Sequence, residues 1–177
     1  MEVREIRENE VSEFHRVFRK IIRDEFPEYP AHVRDFFISK DFREAFLEKR
    51  IKNWDYVVLI AADEGRIVGF LVMEKLYGGV SFATWLGVVR EYQGKGAGSL
   101  LVRAWEKRVR EEGGHKLMLI APSEKVREFY LHQNFTEEGF EKKSWFGIDY
   151  WLFGKIIAGP RPELFLKYIR ANGLPKK

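Results

Sequence analysis

The chain has 177 residues, 45% of them apolar and 33% charged, with a net charge of +4 and no cysteine. That length suits a single domain with a real core, and the missing thiols exclude disulfides, thiolate catalysis and cysteine–zinc sites. The charge is too small to mark a nucleic-acid binder, and the longest apolar run, Val57–Ala62, is far too short to span a membrane.

The chain opens on the charged stretch MEVREIRENE, which has no apolar signal region, so a cytoplasmic location is expected. Lys, Arg and Glu dominate the polar residues and Gln occurs only twice, a bias that thermophile proteins share. Val3–Ile6 alternates like a short strand. Between Asn9 and Phe26, the residues Val11, Phe14, Val17, Phe18, Ile21 and Ile22 recur at helical spacing, with Asn9 as the cap and Pro27 and Pro30 as the stop. Ala31–Ser39 reads as a short helix. Asp41–Asn53 reads as another, with Phe42, Ala45, Phe46 and Ile51 on its apolar side and a cap at Ser39 or Asp41.

The period then changes. WDYVVLIAAD, RIVGFLVMEKLY and VSFATWLGVV are apolar, β-branched runs separated by Glu64-Gly65 and Gly78-Gly79, the pattern of an antiparallel meander. A glycine-rich stretch, EYQGKGAGS, follows from Glu91 to Ser99. Ser99–Glu112 is helical by its spacing and is closed by Gly113-Gly114. HKLMLIAP is a buried strand and Ser123–Gln133 a short helix capped by Ser123. FEKKSWFG and IDYWLFGKII read as two closing strands, and residues 161–172 as a terminal helix. The expectation is one α+β domain over residues 1–177. Its mixed, mostly antiparallel sheet is flanked by helices, with a helical insertion over about 9–53 between the first two strands.

Glycines where a strand enters a helix leave backbone N–H groups open at the positive end of the helix dipole, which is an anion site. Lys95 adds charge and Ser99 a hydroxyl. The plain alternative is a tight turn made of small residues. The spacing fits neither a P-loop, for which no Gly-x-x-x-x-Gly-Lys-Ser/Thr is present, nor a dinucleotide fold, which needs a leading parallel strand.

The stretch VVREYQGKGAGSLLV resembles the signature of the GNAT superfamily of acyl-CoA-dependent N-acyltransferases. Its Gln/Arg-x-x-Gly-x-Gly/Ala pattern is met by Gln93, Gly96 and Gly98, and the apolar residue five places earlier is Val88. The family's next element, Asn-x-x-Ala-x-x-Phe-Tyr followed by a Gly-Phe pair, is matched by SEKVREFYLHQNF. Phe129, Tyr130 and Phe135 stand in register, while Ser123, Val126 and Asn134 replace Asn, Ala and Gly. The ending DYWLFGK is similar to the family's last strand. The resemblance covers roughly Asp55 to Lys155.

That resemblance implies a GNAT-like fold and acetyl-CoA as cosubstrate. It implies that the pyrophosphate is held by the amides of Gln93, Gly94, Lys95, Gly96, Ala97, Gly98 and Ser99, with Ser123 nearby. It implies that the pantetheine arm pairs with Leu86, Gly87 and Val88, and that Tyr130 serves the leaving thiolate. The acetyl group would pass by direct attack to an unidentified primary amine on a small molecule or peptide. The general base is the departure. The position that carries Glu in some relatives is Met118, and VSFATWL holds no titratable residue, which leaves Glu74 and the histidines as loose candidates and a non-catalytic acyl-CoA-binding module as the alternative. His15, His32, His115 and His132 share no ligand spacing, so no metal is expected. The charges of RAWEKRVREE alternate in sign, as on a solvated helix face, so no nucleic-acid partner is expected. Trp145 and Phe146, near a strand turn, are candidates for the acceptor pocket. The aromatic tail Leu164–Ile169 offers a surface for a homodimer.

Overall fold

The computed structural model describes residues 1–53, 55–164 and 166. The strands are β1 (Glu2–Glu5), β2 (Tyr56–Asp63), β3 (Arg66–Glu74), β4 (Val80–Val88), β5 (Lys116–Ala121), β6 (Thr136–Glu141) and β7 (Tyr150–Ile156). The helices are α1 (Val11–Glu25), α2 (Ala31–Phe36), α3 (Glu44–Lys52), α4 (Ala97–Glu111) and α5 (Glu124–His132). The strands form one seven-stranded sheet in the order β1-β2-β3-β4-β5-β7-β6. Every pairing is antiparallel except β4 with β5. This is the α+β architecture the sequence implies, with helices placed between the first two strands. No helix among the described residues is long and apolar enough to cross a membrane.

Alternation along the strands loads both faces of the sheet. Leu59, Ala61, Leu71, Leu117, Leu119 and Phe153 meet α4 and α5 through Leu101, Trp105, Val109 and Tyr130. Val58, Ile60, Phe70, Val72 and Tyr150 meet the N-terminal helices through Phe14, Phe18, Ile22, Phe42 and Leu47. Trp105 is fully buried, and its indole N–H donates to Ser81 Oγ at 2.8 Å, so the one polar edge of a large core residue is satisfied.

A bulge in β4 decides which side chains face which layer. Val72 pairs with Trp85 and Met73 with Ala83, which leaves Thr84 as the extra residue. Its hydroxyl donates to the Val72 carbonyl at 3.2 Å. The bulge reverses the alternation: Ala83 belongs to the α4 layer, whereas Trp85 belongs to the α1 layer.

Several local expectations are corrected. Asn9 does not cap α1; a single 3-10 turn, Glu8–Glu10, precedes it, and the Glu10 carboxylate accepts from the Arg7 amide at 2.8 Å. The helix begun at Ala31 passes at Phe37 into a π-helical turn, Phe37–Asp41, closed by the Phe42 amide on the Phe37 carbonyl at 2.7 Å. α3 therefore starts late, at Glu44 with Arg43 as N-cap, and buries Leu47 while Ala45 is exposed. The strand expected at FEKKSWFG runs earlier, over Thr136–Glu141, because Lys143, Phe146 and Gly147 adopt positive φ and turn the chain. Of the helix expected over 161–172, residues 162–164 and 166 are helical, while 165 and 167–172 lie outside the described residues, as does most of the 164–169 tail.

Candidate active site

The parallel pair β4–β5 is short. It runs from Val80–Lys116 to Ala83–Leu119 and stops there. Beyond that point β4 stays paired with β3 as far as Val88, and β5 with β7 as far as Ala121. The two central strands thus part company inside the sheet. The β5-facing backbone groups of β4 from Thr84 to Val88 have no strand partner among the described residues. A sheet interior that leaves backbone polar groups unpaired needs another partner for them.

The gap opens a cleft of about 1030 Å³. Its lining draws on both layers: Leu119, Ala121, Phe129 and Tyr130 from one, and Phe37, Phe42, Tyr56, Trp85 and Tyr150 from the other. The cleft therefore passes through the sheet and connects its two faces.

One mouth is built by the glycine-rich stretch. After β4 the chain makes a 3-10 turn, Arg90–Tyr92, then takes positive φ at Gly94 (72°) and Gly96 (86°) before α4 begins at Ala97. A Cβ at Gly94 or Gly96 would meet nothing within 4 Å, so these two are glycines for backbone reasons and their surroundings are open. Gly98 differs, because its missing Cβ makes room for Phe129 of α5, 3.1 Å from where that atom would stand. The Gln93 side chain ties the loop down: its Nε2 donates to the Val88 carbonyl at 3.1 Å and to Glu25 Oε2 at 2.9 Å. Arg90 pairs with the other Glu25 oxygen at 3.0 Å. The first amides of α4, from Ala97 to Ser99, have no carbonyl one turn back and face this mouth with the helix dipole behind them.

Of the residues singled out from the sequence, Leu86, Gly87, Val88, Gln93, Gly94, Gly96, Ala97, Gly98, Ser99, Ser123 and Tyr130 all line this one cleft. Lys95 does not; its ammonium lies over the Tyr92 ring, 5.3 Å from the centroid. Ser123 caps α5, accepting from the Lys125 amide at 3.2 Å. Ser99 accepts from Gln133 Nε2 at 3.0 Å. Lys125 and Arg90 supply the positive side chains of the lining, and neither was singled out from the sequence.

Tyr130 stands across the gap. Its ring packs against Phe129, Phe135 and Phe153 with centroids 5.1 to 5.6 Å away. Its hydroxyl has no hydrogen-bond partner among the described residues. Burial pushes its pKa well above the usual phenol value, so it is protonated throughout the neutral range.

The other mouth is aromatic and acidic. Trp85 is ringed by Phe18, Phe26, Tyr29, Phe37 and Phe42, with centroids 5.1 to 6.0 Å away. Tyr150 donates to the Tyr29 hydroxyl at 3.2 Å. Trp145 and Phe146 from the β6–β7 turn also line the cleft. The acids of the whole lining are Asp24, Glu25, Glu28 and Asp41, of which Glu25 is held by Gln93 and Arg90 of the first mouth. Asp41 has its pKa raised by burial, an effect that Arg50 only partly offsets. Glu74, His15, His32, His115 and His132 are not part of the lining. Among the described residues, no group of three or more His, Asp or Glu could hold a metal ion. Asp41 escaped sequence reasoning because it reads as a helix cap; the π-helical turn that moves it to the cleft has no sequence signature of its own.

The model of the acetyltransferase (GNAT) family matches residues 16–135, two thirds of the chain. The chain belongs to the GNAT acetyltransferase family. The match includes most of α1 and ends before the last two strands, so the N-terminal helices fall partly within the GNAT pattern. No curated protein sequence matches the chain. Solved GNAT structures share the fold. A PaiA N-acetyltransferase from Thermoplasma acidophilum in complex with coenzyme A is 18% identical, with a TM-score of 0.70 over 88% of this chain and 98% of that one. A ribosomal-protein-alanine N-acetyltransferase from Brucella melitensis is 21% identical, with a TM-score of 0.70 over 88% and 99%. An aminoglycoside 6'-N-acetyltransferase complexed with coenzyme A is 19% identical, with a TM-score of 0.69 over 92% and 99%.

Proposed function

We propose that the protein transfers an acetyl group from acetyl-CoA to a primary amine by direct attack. The observation that carries this reading is the parting of β4 and β5 beyond Ala83 and Leu119, with the open amides of α4 at one mouth and Tyr130 across the gap. In this reading the pantetheine arm adds to the free edge of β4 at Leu86, Gly87 and Val88, as a strand would. The pyrophosphate lies on the amides of Gly94 and of Gly96 to Ser99, near Arg90 and Lys125; the Lys95 amide is taken by the Tyr92 carbonyl. Coenzyme-A-bound GNAT relatives of the same fold support the choice of cofactor.

The amine attacks the thioester carbonyl, charge builds on its oxygen, and in this reading a β4 amide at Leu86 or Gly87 donates to it, as the family resemblance implies. The C–S bond then breaks. A free thiol has a pKa near about 8.5, so a phenol held well above its own usual value gives up its proton to the thiolate only uphill. Tyr130 therefore acts chiefly by donating a hydrogen bond to the sulfur as charge gathers there. With no cysteine in the chain, an acyl-thiol enzyme cannot form.

Titration calorimetry with acetyl-CoA and CoA, using ATP and NADH as controls, tests the cofactor. Thiol release with an amine present tests the reaction. Binding of the CoA pair alone, with sequential two-substrate kinetics, is the expected result. No CoA binding would return the glycine-rich stretch to a purely structural turn, and ping-pong kinetics would exclude direct attack.

A further inference from the structure

We propose that the acceptor is a primary amine carried on an aromatic or bulky apolar body, its ammonium received by Asp41 and its body by the rings of the aromatic mouth. This rests on the acetyltransferase reading and names the substrate class for its second mouth.

Three observations converge. The first is the placing of Asp41. The π-helical turn adds one residue before α3 and closes with a bond from the Phe42 amide to the Phe37 carbonyl. It brings Asp41 and Phe42 side by side to the cleft, Phe42 as a buried ring at 2% exposure and Asp41 as the charged group beside it. Such turns recur at functional sites because they aim a side chain that a regular helix would point elsewhere. Asp41 forms no ion pair or hydrogen bond among the described residues. The nearby cation, Arg50, is occupied in stacking on Phe46 and Tyr56, 4.5 and 4.6 Å from their centroids. A half-buried carboxylate whose burial the nearby Arg50 offsets only in part has a place for a second cation.

The second is charge. Of the four acids that line the cleft, Asp24 pairs with Lys20 at 3.1 Å and Glu25 is taken by Arg90 and Gln93. Among the described residues, Asp41 and Glu28 have no ion pair or hydrogen bond. That suits one ammonium with a rim carboxylate to draw it in, rather than a polycation with several charges to satisfy. It also gives the attack what it needs, since a carboxylate whose pKa burial raises can accept the proton that an ammonium must lose before its nitrogen attacks.

The third is the aromatic lining. Phe42 stacks on Tyr56 with centroids 5.7 Å apart and planes within 2°, and Trp85 stands edge-on to Phe42. Nearer the mouth, Phe146 closes on Phe37 at 5.2 Å and on Tyr29 at 6.4 Å. Phe146 is 50% exposed and holds φ at 59°, a conformation that costs a bulky residue energy. The turn imposes it: Lys143 N–H donates to Asp149 Oδ1 at 2.8 Å and Gly147 N–H to the Ser144 carbonyl at 2.9 Å. A strained, half-exposed ring over a cleft is what a site for an apolar body provides.

The test uses the full chain. Calorimetry with CoA on the wild type and Asp41→Asn comes first, because equal binding shows that the cofactor mouth is intact. Initial rates of thiol release are then compared for 2-phenylethylamine, tryptamine, spermidine, kanamycin and an alanyl peptide. We expect kcat/KM for the two arylalkylamines to exceed the others at least tenfold. Asp41→Asn should lower it at least tenfold, with weaker 2-phenylethylamine binding to the CoA complex by calorimetry. Phe146→Ala should raise KM several-fold and leave kcat close to wild type. A preference for spermidine, kanamycin or the peptide, or an unaffected Asp41→Asn variant, would overturn the substrate class while CoA binding stood. Absent CoA binding would overturn the acetyltransferase reading itself.

Discussion

Phe129 of α5 packs into the space a side chain on Gly98 would take, its ring carbons 3.1 and 3.3 Å from the missing Cβ. The contact joins the N-terminus of α4 to the helix that carries Tyr130. Two effects oppose each other in Gly98→Ala. Helix propensity favours alanine by about 1 kcal/mol, while overpacking costs about 1–3 kcal/mol. We expect Tm to fall only slightly and kcat to fall more, because the strain is relieved by moving α5. Phe129→Leu in the same chain should restore part of the loss. Gly96→Ala should behave differently, losing about 1–2 kcal/mol to its left-handed backbone with no relief from Phe129→Leu. Thermal melts and steady-state rates on the four variants separate the two kinds of glycine.

Tyr130→Phe keeps the ring contacts with Phe129, Phe135 and Phe153 and removes only the hydroxyl. Turnover should drop at least tenfold while CoA affinity, measured by calorimetry, stays within twofold. Burial also sets the pH profile: the phenol ionises well above its usual value, so the wild-type rate should show no fall on the alkaline side that the variant lacks. Unchanged turnover would remove Tyr130 from the chemistry.

The sequence carried the sheet and the cofactor mouth because both depend on local pattern. Apolar, β-branched runs between glycine turns marked β2, β3 and β4, and the glycines before α4 marked a backbone that only glycine adopts cheaply. The acceptor mouth depends on long-range geometry instead. Asp41 reaches the cleft through a π-helical turn, and Glu28 and Tyr29 reach it through the loop after α1; their spacing along the chain encodes none of this. The same holds for the bulge at Thr84, which reverses the facing of Trp85 and so places a large ring on the acceptor side. Lys95 shows the converse error: a lysine among glycines looks like a phosphate ligand, yet it lies over Tyr92.

Gly87 meets a constraint that the motif does not show. A Cβ there would stand 2.6 Å from Ile21 Cγ2 and 3.1 Å from Phe70 Cζ, so the bare backbone lets α1 lie close on the sheet where β4 leaves β5. Gly87→Ala should cost about 1–3 kcal/mol by overpacking. Ile21→Ala removes the clashing methyl, and although it opens a cavity of its own, the double variant should be more stable than the sum of the two losses predicts. Additive denaturation midpoints would show that α1 adjusts without strain.

Arg4 and Glu10 lock the first strand to the start of α1. Both Glu10 oxygens accept from the Arg4 guanidinium, at 2.6 and 2.7 Å, and one also accepts from the Arg7 amide. The hydrogen bonds from Arg4 hold the Glu10 carboxyl down from its usual value to about 2. A carboxyl whose pKa is depressed in the folded state stabilises it fully above the unfolded pKa and loses that contribution as pH falls through the folded one. The window for Glu10 therefore runs from about 4.5 down to about 2. Glu10→Gln should melt below wild type by a constant margin at pH 6 to 8, and that margin should shrink steadily below about pH 4.5 as the wild-type carboxyl takes up its proton. Arg4→Met should shrink the dependence, because the hydrogen bonds that lower the pKa most are gone while the Arg7 amide and charge remain. A margin that persists unchanged to pH 2.5 would mean that the pair contributes by packing rather than by charge.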